Sequence, residues 1–222
     1  MMSQTDMDKL IRQTRQYEFS DGLRDLQLAV LFAVGGMTVW LSLEPVWMSF
    51  IVTMVNKLGR WAVWLGMLPA LLMPLAVLGM LGLMNHLRRR WLWRESGEVK
   101  PSRFAVPRGV NVLAAVIFVG GLAVSLWLRF TGRAGDVLVL RMLWAATGWS
   151  FGYTLVGVGR HIGFSHYVGL GTAGGLLSTA LLVLPLTFGQ SALVFGIVWS
   201  LILAVSGVAG LRRAVSASKR DQ

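Results

Sequence analysis

Three histidines, one arginine and a stripe of hydroxyls are the residues of this 222-residue chain whose types could do chemistry. His86, His161 and His166 fall at the ends of apolar stretches, where imidazole nitrogens from two hairpins could ligate a haem iron or a metal ion. The segment Arg160-His161-Ile162-Gly163-Phe164-Ser165-His166-Tyr167 brings no Asp or Glu with it, and the spacing matches no ligand pattern, so neither a cofactor nor a metal is expected. Thr147, Ser150 and Thr154 recur at helical spacing beside Tyr153, about two to four turns after Arg141. Such a face could line a solute path, but hydroxyls inside a bilayer more often bond back to their own helix or bridge to a neighbour. Arg141 is placed to snorkel toward the nearer interface. Asp21, Arg24 and Asp25 precede the first apolar run, and Arg88, Arg89 and Arg90 follow the second, which predicts an interfacial ion-pair cluster. No acid is expected to be buried inside the bundle, which argues against a proton relay and carboxylate-dependent intramembrane catalysis. With no Cys, no phosphate-binding glycine loop and no ordered Ser, His and acid set, no catalytic residue is assigned.

The elements that must position these groups are six apolar runs, at 26 to 43, 61 to 84, 109 to 128, 137 to 159, 167 to 188 and 191 to 211. Each is near the ~20 residues a helix needs to cross the hydrocarbon core. The predicted fold class is therefore all-α, a polytopic bundle of six transmembrane helices over 26 to 211. It is preceded by an amphipathic segment at 1 to 25 and followed by a basic tail at 212 to 222. Alternating the runs across a bilayer puts 16 of the 21 Lys and Arg residues on the side of the N-terminus and 5 on the other. That asymmetry orients both termini toward the cytoplasm, as expected for a multi-pass protein of a bacterial inner membrane.

Composition agrees. With 55% hydrophobic and 14% charged residues, the chain has too little polar surface for a soluble domain of this size. The net charge of +11 is spread over segment ends instead of forming one basic face, which argues against nucleic acid as a partner. The loop at 86 to 108 interleaves Arg88, Arg89 and Arg90 with Trp91 and Trp93, first of all the strongest positive-inside signal and also a pattern that suits anionic lipid headgroups. The stretch 45 to 58 is apolar but too short to cross and return, so it reads as an interfacial or re-entrant segment set off by Pro45, the alternative being one long first helix.

Glycines supply the packing signal. Gly148 and Gly152, Gly171 and Gly175, and Gly196, Ser200 and Ala204 stand four apart, the spacing that lets helix backbones approach within one chain or between subunits. Gly-Gly pairs at Gly35-Gly36, Gly120-Gly121 and Gly174-Gly175 further suggest three related hairpins.

The stretch Arg15-Gln16-Tyr17-Glu18-Phe19-Ser20-Asp21-Gly22-Leu23, running straight into an apolar helix, resembles the start of a loosely defined group of uncharacterised bacterial membrane proteins. In these a Tyr-x-x-x-Asp-Gly-Leu-like motif precedes several spans, and Pro107-Arg108 stands where they carry a Pro-Arg element. The resemblance implies a multi-spanning protein and transfers no functional residue. The leading expectation is a nonenzymatic accessory or scaffolding subunit that meets a membrane-protein partner or a second copy of itself. The alternatives are a small-solute or lipophilic-compound transporter or channel, and a histidine-ligated haem or metal protein.

Overall fold

The computed structural model describes residues 22–87 and 106–218. Among them there is no β-strand. The helices are α1 (Leu23–Leu43), α2 (Pro45–Leu58), a one-turn α3 (Val63–Gly66), α4 (Leu68–Leu87), α5 (Arg108–Phe130), α6 (Asp136–Ile162), α7 (Ser165–Ala180) and α8 (Phe188–Ser218). A 3₁₀ turn, Gly59–Ala62, joins α2 to α3.

Breaks between elements follow from local backbone chemistry. Glu44 is extended and Pro45 opens α2, so residues 23 to 58 form two helices and not one long tilted one. α2 buries none of its residues. The second apolar run begins seven residues later than its hydropathy indicates, because the stretch from Gly59 to Gly66 is spent on the 3₁₀ turn and α3. Gly163, left-handed at φ 87°, ends α6, and its N–H donates to the Gly159 carbonyl. α7 stops at Ala180, short of the 188 that its apolar run reaches, since Pro185 follows and the chain turns over Leu181 to Leu184. α8 runs seven residues past 211, so the start of the basic tail is helical.

Among the described residues, four helical segments are long and apolar enough to cross a bilayer: Leu23–Leu43, Leu68–Leu87, Arg108–Phe130 and Phe188–Arg213. The remaining two expected spans differ for separate reasons. α6 has 27 residues but interleaves Arg141 and a run of hydroxyls and glycines among its apolar side chains. α7 has only 16 residues, about 24 Å of helix.

Small residues set how the helices pair. A Cβ added to Gly152 would lie 2.3 Å from the Gly171 carbonyl oxygen, and one added to Gly148 would strike Ser178, so α6 and α7 form an antiparallel hairpin in backbone contact. Gly121 meets Ala146 and Gly157 meets Val110, which fixes α5 antiparallel to α6 on its other side. α1 pairs along its length with α8: Gly22 lies on Gly207, and Gly36 lies on Ala192 and Gly196. The Gly-Gly pairs thus serve different seams, and the strongest pairings, α1 with α8 and α6 with α7, are not the three consecutive hairpins that the repeat suggests.

Inside these seams sits an aromatic cluster. Trp199, fully buried, stacks against Phe32 at 5.6 Å and meets Phe151 edge-on at 4.8 Å, with Phe195 completing the group. Its indole N–H donates to Ser178 at 3.1 Å, and the Ser178 hydroxyl donates to the Gly174 carbonyl. α4 and α5 flank this core and leave most of their apolar side chains bare.

Candidate functional site

The most unusual polar group of the bundle is Asp25, in the first turn of α1 and only 2% exposed. The expectation that no acid is buried in the bundle is corrected here. Its position near a helix start is favourable, because the free N–H groups there carry partial positive charge. Tyr167 of α7 donates its phenolic hydrogen to Asp25 Oδ1 at 2.5 Å, and Ser206 of α8 donates to Oδ2 at 2.6 Å. Each carboxylate oxygen therefore takes a hydroxyl from a different helix, which offsets the cost of removing the acid from water. Backbone geometry makes the node possible. Gly22 adopts φ 68° with its α-carbon so close to the Gly207 carbonyl that a Cβ would lie 2.1 Å from that oxygen, which draws the start of α1 onto α8 beside Ser206.

The node also fixes relative direction. The start of α1, the start of α7 and the late part of α8 share one end of the bundle, joined there by the end of α6, where Gly159 lies against Tyr167. His166 sits at this end, one residue ahead of the fifth apolar run, its ring 4.4 Å from that of Tyr167. Partial burial pushes its imidazole below the ordinary pKa; the Asp25 carboxylate opposes this shift, and the Arg213 charge adds to it.

Of the other expected site residues, Asp21 and Arg88, Arg89 and Arg90 lie outside the described residues, as does Trp91. Arg24 is half-buried beside the node. The three histidines occupy separate places: exposed His86 in the last turn of α4, exposed His161 at the end of α6, and His166 beside Tyr167. Among the described residues no three potential metal ligands gather.

The hydroxyl face of α6 is spent inside the protein. Thr147 donates to the Leu143 carbonyl and Thr154 to that of Ser150, each at hydrogen-bond distance within α6. Ser150 donates across to the Ala114 carbonyl of α5 at 2.8 Å. Arg141 donates from both Nε and Nη2 to the Leu186 carbonyl, at 2.9 and 2.5 Å, in the turn between α7 and α8. Near the same end Arg129 pairs with Asp136 across the loop that joins α5 to α6.

Asp25 was half-visible in sequence. Its type and its place beside Gly22 were plain, but its partners lie 142 and 181 residues away, and no local spacing encodes them. No protein-family profile, no curated protein and no solved structure matches this chain.

Proposed function

We propose that this chain is a six-span inner-membrane protein with both termini in the cytoplasm that acts without catalysis, as an accessory or scaffolding subunit of a membrane assembly. The observation that carries this reading is the aromatic core. Phe32, Phe151, Phe195 and Trp199 fill the space between α1, α6, α7 and α8 where a solute path would run, and the hydroxyls of α6 are consumed by backbone carbonyls. Six crossings are supported by the antiparallel alternation of α5, α6, α7 and α8 and by the pairing of α1 with α8, which keeps the first and last helices on opposite courses. The bare apolar flanks of α4 and α5 leave room for lipid, for a partner helix or for a second copy.

One observation favours a second reading, transport of a small solute: Asp25, a buried carboxylate where helices meet, is the kind of group that proton-coupled carriers use. Reconstitution into liposomes separates the two. The scaffold reading expects no solute uptake or proton flux above that of empty vesicles, and a defined partner or second copy held in stoichiometric amount after crosslinking in the membrane. Flux that Asp25→Asn abolishes would replace it with transport.

A further inference from the structure

A cleft of about 360 Å3 opens between the start of α5 and the last turns of α6, lined by Pro107, Val110, Tyr153, Val156, Gly157, Arg160 and His161. Its polar groups are a guanidinium, an imidazole and a phenol. Such a set is rich in donors, with a permanent positive charge on Arg160, and it suits an anion. Among the described residues neither Arg160 nor His161 pairs with a carboxylate, in contrast to Arg129, which Asp136 neutralises at the other end. The cleft is also graded along the helix axis. Arg160 and His161 stand exposed at its mouth, while Tyr153 lies two turns deeper, about 10 Å along α6. Between them the floor is apolar, made by Val110 and Val156, with Gly157 so close to Val110 that the two helices meet there without a gap.

We infer that this cleft seats the phosphodiester of an anionic phospholipid, with the headgroup at Arg160 and His161 and the upper acyl chain along Val110 and Val156. A free phosphate would satisfy the same donors but would have no use for the apolar floor, and an amphiphile uses both. Arg160 provides the charge that binds any phosphate, and Tyr153 is positioned to donate to the ester or carbonyl oxygens one layer deeper.

The test measures lipid retained by the purified full-length protein after extraction, with neutral detergent, from vesicles of phosphatidylglycerol or phosphatidylcholine. The wild type is expected to keep phosphatidylglycerol in preference to phosphatidylcholine. Arg160→Gln should lower that retention about fivefold, the effect of one basic residue at a lipid surface. Val156→Trp leaves the charge unchanged and fills the floor; it should lower retention comparably. Where tryptophan unfolds the protein, Tyr153→Phe takes its place and should cost about threefold through one lost hydrogen bond. Arg212→Gln with Arg213→Gln, at the same end but off the cleft, should leave retention unchanged. Equal loss in that control would overturn the site in favour of diffuse attraction. Retention indifferent to Val156→Trp or Tyr153→Phe but displaced by millimolar inorganic phosphate would overturn the lipid in favour of a free anion.

Discussion

Helices α4 and α6 both hold glycines at helical spacing, and the bundle uses them in opposite ways. In α6, Gly148 and Gly152 face α7 so closely that added side chains would overlap Ser178 and the Gly171 carbonyl. In α4, Gly79 and Gly82 look into open space, and the helix leans on α1 through long side chains such as Met73, which reaches Gly35. Glycine spacing therefore marks a seam only where a second helix offers small residues in the same register. α6 finds them on both sides, in α5 and α7, and becomes the hub of the core. α4 finds none and remains a flank.

This contrast can be broken by the same substitution in two places. Gly148→Leu with Gly152→Leu should destabilise the protein in detergent by about 3 kcal/mol or more, since backbones in contact cannot make room for a side chain. Gly79→Leu with Gly82→Leu should change stability by less than about 1 kcal/mol, as expected for bare helix positions. Thermal unfolding of the two variants decides. Comparable melting points would mean that the α6 to α7 seam is not the packing centre.

A second prediction concerns the Asp25 node, which ties α1 to α7 and α8 and leaves α4 out. Asp25→Ala would leave the hydroxyls of Tyr167 and Ser206 without their acceptor, a cost of about 2 kcal/mol in unfolding free energy. Tyr167→Phe should cost less, and combining the two should cost less than the sum, because both remove one interaction. Strict additivity would show that the node does not join α1 to α7.

The smallest effect is one of pH. A histidine whose folded pKa is depressed binds fewer protons in the folded than in the unfolded protein, so its contribution improves as pH rises through the window between the two values and is unfavourable below it. The protein should therefore lose a little stability on acidification through the ordinary histidine range, and His166→Gln should flatten that slope. Because His166 is largely exposed, the change should be slight. A slope unchanged in the variant would assign the pH dependence to other groups.

Much of the architecture was legible because it is written locally. Apolar runs place most of the helices, Pro45 marks the first break, and the α6 and α7 glycines mark their seam. What was not legible depends on distant register. Nothing near Asp25 announces Tyr167 or Ser206, nothing near Arg141 announces the Leu186 carbonyl, and the Gly-Gly pairs look alike although one meets a glycine, one an alanine and one a tryptophan. The cleft at Tyr153 and Arg160 escaped for the same reason, since its other wall comes from Val110 more than 40 residues earlier.

The proposed topology turns the Asp25 end, with the start of α1 and the end of α8, toward the cytoplasm. The chain has no cysteine, so a single introduced thiol reports its own side of the membrane. Thr131, in the turn after α5, and Ser216, near the end of α8, are both exposed and lie at opposite ends. In intact cells a membrane-impermeant maleimide should label Thr131→Cys and leave Ser216→Cys unlabelled until the membrane is permeabilised. Labelling of Ser216→Cys from outside, or protection of Thr131→Cys there, would contradict it.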